Sequence, residues 1–127
     1  MIQEAYCSHE VAKRLKEKGF NGPCRSYFID NADYIDSSYS IEELTDLNMG
    51  VWETLRPTHQ MAFTWLREVH HIFVEISTHI DLNGKYLFSY AILDSTCNYI
   101  RRGCTDYSWK YEDVVEAALK YVLENLI

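Results

Sequence analysis

Cys7 and His9 stand two positions apart and are the closest nucleophile and base in the chain. A thiol beside an imidazole is the starting point of cysteine-dependent acyl transfer, so this pair defines the enzymatic alternative, a small cysteine-dependent enzyme. Neighbours at a helix start seldom reach triad geometry, and the chain has no G-x-S-x-G, no phosphate-binding loop and no dinucleotide fingerprint. No catalytic residue is assigned. The four cysteines, Cys7, Cys24, Cys97 and Cys104, form no C-x-x-C pair. Nor do the five histidines, His9, His59, His70, His71 and His79, complete a zinc-ligand spacing. His71, Glu75 and His79 would share one face of a strand, but steps of four residues hold them about 13 Å apart, too far for one metal. Asp30, Asp33 and Asp36 lack the alternation of a calcium loop. The expectation is reduced thiols, no metal and no cofactor.

Several elements stand ready to position these residues. Ser8 fits an N-cap and Gly19 the left-handed residue after a last turn, which predicts a helix over 9–18 with Val11, Ala12 and Leu15 on its apolar stripe. Cys7 and Ala12 are spaced as a hydrophobic staple. Arg25–Ile29 reads as a short strand, Asp30-Asn31 as a turn, and Tyr34-Ile35 with Ser38-Tyr39 as a returning strand. Ser40–Glu43 is a candidate capping box. Pro57 fits the first position of a second helix whose stripe is Met61, Ala62, Trp65, Leu66 and Val69, with Trp65 as its anchor. Ser8-His9-Glu10-Val11-Ala12 echoes Thr58-His59-Gln60-Met61-Ala62, which shared capping chemistry explains more cheaply than duplication. A last helix spans about Tyr111–Asn125, with Tyr111, Val114, Val115, Ala118, Leu119, Val122 and Leu126 on one face.

Between those two helices, Ile72–Ile80 alternates as a half-buried strand, and Asn83-Gly84 signals a hairpin. A two-residue loop there would pair Ile80 with Leu87, Thr78 with Ser89, Ile76 with Ala91 and Val74 with Leu93. That register puts Phe73, Tyr86, Phe88, Tyr90 and Ile92 on a second face, the candidate interaction face if helices cover only the first. Asn98–Arg102 is a possible third strand. The fold class expected is α+β, one domain over 1–127: an antiparallel sheet of three to five strands with about three helices packed mainly on one face.

The net charge of −7 is concentrated. Asp30, Asp33, Asp36, Glu42, Glu43, Asp46 and Glu53 fall in an acidic, variable segment, 30–55, that contains no Lys or Arg. Such a segment repels phosphate backbones. No run approaches the roughly 18 apolar residues of a membrane helix, and Met1–Glu4 carries no secretory-type start. A cytoplasmic protein with no membrane partner is expected. Residues 57–127 also follow the order of a double-stranded-RNA-binding domain, the nucleic-acid alternative. However, the position where those domains grip phosphate with lysines holds Glu112 and Asp113. Basic residues gather instead at Lys13, Arg14, Lys16 and Lys18 and at Arg101-Arg102.

P-T-H-Q-M-A at Pro57–Ala62, W-L-R-E-V-H at Trp65–His70, L-K-E-K-G-F at Leu15–Phe20 and the run Glu112–Leu126 cover about half the chain. Together they resemble a group of small uncharacterised proteins from gut Bacteroidales and their phages and mobile elements. The resemblance implies a phage- or element-borne accessory protein in the cytoplasm of a bacterial host, and supplies no activity or ligand. With no catalytic constellation, the function expected is that of a non-catalytic accessory or adaptor that binds a protein partner or itself.

Overall fold

The computed structural model describes residues 4–22, 24, 26–28, 34–36, 54–102 and 108–127. The expected turn at Asp30-Asn31, the capping box at Ser40–Glu43 and most of the acidic segment lie outside these residues. The fold is α+β, built as two compact units, Met1–Ala62 and Phe63–Ile127. The elements are α1 (His9–Glu17), β1 (Ser26–Phe28), β2 (Tyr34–Asp36), β3 (Thr54–Leu55), α2 (His59–His70), β4 (Phe73–Ile80), β5 (Tyr86–Leu93), β6 (Tyr99–Arg102) and α3 (Tyr111–Asn125). The strands divide between two three-stranded antiparallel sheets, ordered β2-β1-β3 and β4-β5-β6.

In the first unit, α1 begins and ends as its sequence directs. The Val11 N–H donates to Ser8 Oγ at 3.2 Å. At the other end Gly19 takes φ 92°, the Phe20 N–H reaches Leu15 O at 2.9 Å and the Gly19 N–H reaches Lys16 O at 3.1 Å. This paired closure satisfies carbonyls that the helix leaves open. Val11, Ala12 and Leu15 are buried, and α1 packs against β3.

α2 starts two positions later than expected, with His59 rather than Pro57 as its first helical residue. Thr58 caps it: the Met61 N–H donates to Thr58 Oγ1 at 3.1 Å. The threonine hydroxyl supplies the acceptor that sets the start, and Pro57 is left outside the helix with its carbonyl free to pair. Pro57 is buried, and its carbonyl accepts the Cys7 N–H at 2.9 Å. The His59 N–H donates to Ala5 O at 3.0 Å, and Tyr6 bridges Thr58. The echoing segments thus share their cap, hydroxyl on the third N–H, and are laced to each other.

The boundary between the units falls within α2. Ala62 and Leu66 are fully buried, His59 is buried, Trp65 is half-buried and Val69 is exposed. The stripe therefore runs through 59, 62 and 66, and Trp65 lies at its margin with its ring 4.6 Å from that of His70. His71 takes a left-handed backbone, φ 57°, and ends the helix, while the Ile72 N–H reaches back to Leu66 O at 3.1 Å. His71 is therefore a reversal residue and not part of β4. The row His71, Glu75, His79 reduces to Glu75 and His79.

The second unit corrects the hairpin register. The Asp81 N–H donates to Lys85 O at 2.9 Å and the Gly84 N–H to Asp81 O at 3.1 Å, with Gly84 at φ 77°. The loop is therefore Leu82–Gly84, a tight turn closed by a left-handed residue. Asp81 selects it: its Oδ1 accepts the N–H groups of Asn83 and Lys85 at 2.8 and 2.9 Å. One extra loop residue shifts every pair, so Ile76 faces Tyr90, Val74 faces Ile92 and Phe73 faces Leu93. The β5–β6 turn repeats the device with Asp94. Its Oδ1 accepts from the N–H groups of Thr96 and Asn98 at 2.9 and 3.1 Å and from the Thr96 hydroxyl at 2.7 Å. Here the left-handed position is Cys97, φ 64°.

α3 lies where its periodicity placed it. Val114, Val115, Ala118, Leu119, Val122 and Leu123 are buried, and it packs against β5 and β4.

Candidate interaction surface

The corrected register decides which sheet face is core. Arg101 pairs with Ile92 and so shares its face. Its guanidinium lies 4.3 Å from the Tyr121 ring of α3, and its Nε donates to Tyr90 Oη at 3.1 Å. The Phe88 ring meets the Tyr111 ring edge-on at 5.4 Å. Phe88, Tyr90 and Ile92 therefore face α3, and Tyr90 and Ile92 are buried. Phe73 stands opposite Leu93 on the other face, with Glu75, Ser77, His79, Leu87, Ser89 and Ala91. The expected patch of Phe73, Tyr86, Phe88, Tyr90 and Ile92 is thus not one surface. That patch requires a two-residue loop, and the third loop residue moves the β5 members to the helix side.

Tyr86 alone of the β5 members stays exposed, and it stands near a second group of exposed side chains. Ser108 exchanges both backbone hydrogen bonds with Phe88, at 2.8 and 3.0 Å. This brings the start of α3 beside the hairpin tip, and Lys85 Nζ lies 5.7 Å from the Trp109 ring. Leu82, Tyr86, Trp109 and Tyr111 are exposed on the segments that meet at this bridge, and Ile80 pairs with Tyr86. Tyr86 is 59% and Trp109 57% exposed, Leu82 fully so, and Tyr111 and Ile80 are also exposed. Exposed aromatic side chains with one polar end, with Lys85 beside Trp109, have the composition of a binding hot spot. Trp109 and Tyr111 were visible in the sequence as a dense aromatic run, but their meeting with Tyr86 depends on a long-range bridge.

The other candidate chemistry is not gathered. Cys7 is buried, and its Sγ donates to Thr58 O at 3.8 Å. His9 packs its ring against Phe28 at 4.9 Å. Burial pushes the Cys24 thiol up to about 11, so it is not a thiolate at neutral pH. Cys7, Cys24 and Cys97 are in no disulfide, and Cys104 lies outside the described residues. Among the described residues no three His, Cys, Asp or Glu side chains converge as metal ligands, and no helix is long and apolar enough to cross a membrane.

Several arginines among the described residues are engaged. Arg14 pairs with Glu10 at 3.6 Å, Arg101 is held by Tyr90 and Tyr121, and Arg102 lies 4.0 Å from the Tyr99 ring. Arg56 is a further residue the sequence did not announce. Its guanidinium sits between the Tyr6 and Tyr34 rings, at 3.9 and 3.4 Å, and its Nη1 donates to Ser26 Oγ at 3.0 Å. It ties β1, β2 and the chain entering α1 together by cation–π contact. No protein-family model, no curated protein and no solved structure matches the chain.

Proposed function

We propose that this chain is a small non-catalytic accessory protein that binds a protein partner through the aromatic patch at the β4–β5 tip. The exposure of Leu82, Tyr86, Trp109 and Tyr111 on the segments joined by the Phe88–Ser108 bridge carries the reading. Apolar surface grouped in this way is a cost in a free monomer and a gain in a complex. The implied setting, a bacterial host carrying a phage or mobile element, rests on the sequence resemblance. A Trp109→Ala, Tyr86→Ala double variant tests the reading by quantitative pull-down from such a host. Partners retained by the wild-type chain and lost by the variant, at unchanged circular dichroism, are expected. An identical set of partners for both chains would sink it.

The order α2-β4-β5-β6-α3 favours nucleic-acid binding as the second reading. Against it stand Glu112 and Asp113 at the start of α3 and the engagement of Arg101 within the sheet–helix layer. Labelled duplex RNA at low salt distinguishes the two. Tight binding that weakens steeply with added salt would displace the protein-partner reading.

A further inference from the structure

β4 is an edge strand: among the described residues it pairs only with β5. Phe88 commits its N–H and its C=O to Ser108, so Thr78, which stands opposite Phe88, turns its own N–H and C=O away from β5. By the alternation of an antiparallel ladder, Val74, Ile76 and Ile80 do the same. The outer edge of β4 therefore offers a row of alternating donors and acceptors. Natural edges are blunted by short length, Lys, Pro or a bulge. Phe73–Ile80 is eight residues long, without Lys or Pro, and its pairing with β5 is unbroken.

We propose that this edge pairs with the same edge of a second copy of the chain. The pairing is antiparallel about a two-fold axis through Ser77, and joins two three-stranded sheets into one of six strands. Outward-facing residues must bond outward-facing ones, which leaves registers centred near Ile76, Ser77 or Thr78. Centred on Thr78, Glu75 would meet Asp81 of the second copy, two acids face to face. Centred on Ile76, Glu75 would meet Ser77 and His79 would meet Phe73. Centred on Ser77, Glu75 meets His79 of the second copy, and by symmetry the pair forms twice. On the α3 side the same register sets Ile80 against Val74 and Thr78 against Ile76. It covers Ile80, which is 65% exposed in the single chain. Hydrogen bonding of Glu75 to the imidazole of His79, whose Nε2 lies 2.9 Å from Ser89 Oγ of its own chain, together with apolar pairing, thus selects one register and one occupant. This surface is the strand edge, separate from the tip patch except at Ile80, which borders both.

Light scattering coupled to size exclusion tests the proposal on the intact chain. Moderate salt is needed, because a chain of net charge −7 repels its copy. At about 100 μM the wild-type mass is expected at twice the 15.0 kDa of the single chain. Thr78→Pro deletes an outward N–H that the chain itself does not use, and is expected to stay folded and run as a monomer. Glu75→Lys should weaken association about tenfold, and adding His79→Glu should restore it. A wild-type monomer at that concentration overturns the proposal, as does a dimer indifferent to Thr78→Pro. If Thr78→Pro fails to fold, the charge swap decides: no loss with Glu75→Lys, or no recovery in the double variant, overturns the register and the dimer.

Discussion

Ile92 and Leu93 are neighbours in β5 and occupy opposite surroundings. Ile92 is fully buried on the side that α3 covers, whereas Leu93 is half-buried on the other side, opposite Phe73. The same contrast runs along the sheet. The α3 side is a layer of Phe88, Tyr90, Ile92 and Arg101. The other side mixes Glu75, Ser77, His79 and Arg102 with Ser89 and Ala91, which are buried, and half-buried Leu87 and Leu93. A sheet needs only one apolar face to be held, and the second is then free to be polar or to meet another molecule.

The largest effect expected separates those neighbours. Ile92→Ala should cost about 3–4 kcal/mol in urea melts and Leu93→Ala about 1 kcal/mol, since only the first leaves a closed cavity. Equal losses would mean that the Leu93 side is as buried as the Ile92 side. Phe88→Glu comes next, at about 2 kcal/mol, because its ring meets Tyr111. The thermal midpoint should fall. A variant of unchanged stability would return Phe88 to the surface and undo the assignment of faces.

The arginines repeat the comparison at smaller scale. Arg101→Met should lose about 1–2 kcal/mol through Tyr90 Oη and the Tyr121 ring, and Arg102→Met less than about 0.5 kcal/mol from its exposed position. Chemical denaturation of the two variants side by side decides, and a reversed order would break the contrast. The turns sharpen it further, since both need a left-handed residue. Gly84→Ala should cost about 1 kcal/mol and Cys97→Gly should gain up to about 1 kcal/mol, read from shifts in the denaturation midpoint.

The smallest effect is one of pH. The Thr96 hydroxyl and the N–H groups of Asn98 and Thr96 hold the Asp94 carboxyl below its ordinary value of 3.8. A depressed folded-state value stabilises above the unfolded one and is lost as pH falls through the folded one. The wild-type chain should therefore exceed Asp94→Asn in stability at neutral pH. The gap should close as pH falls below about 4, as followed by denaturation across an acid series.

Local signals in the sequence were accurate where local chemistry decides. Ser8, Gly19 and Phe20 delimit α1 because capping involves only nearby backbone, and the α3 stripe was legible in Val114, Val115, Ala118, Leu119 and Val122, which repeat at helical spacing, whereas Tyr111 and Leu126 at its ends are not buried and Leu123 is. The hairpin was legible as a hairpin but not in its length. Asn83-Gly84 also suits a two-residue loop, and the deciding residue is Asp81, whose carboxylate gathers two N–H groups beyond it. From that single position the error spread to every cross-strand pair and to the interaction face. Val69 is exposed and Trp65 half-buried, shallower than the stripe implies, because a helical stripe fixes a direction only to within about one residue. The tip patch could not be read locally, since Tyr86 and Trp109 are joined through the bridge between Phe88 and Ser108.

The loop Leu82–Gly84 behaves as a parity check on the second unit. With its odd count, β5 presents Phe88, Tyr90 and Ile92 to the helix. Loss or gain of one residue there would present Leu87, Ser89, Ala91 and Leu93 instead, exchanging a layer of large side chains for a thin one. Two added residues would leave the presentation intact. Length variation at this hairpin should therefore be accepted in steps of two, so that a single-codon deletion at its exposed tip is more damaging than most substitutions in its strands.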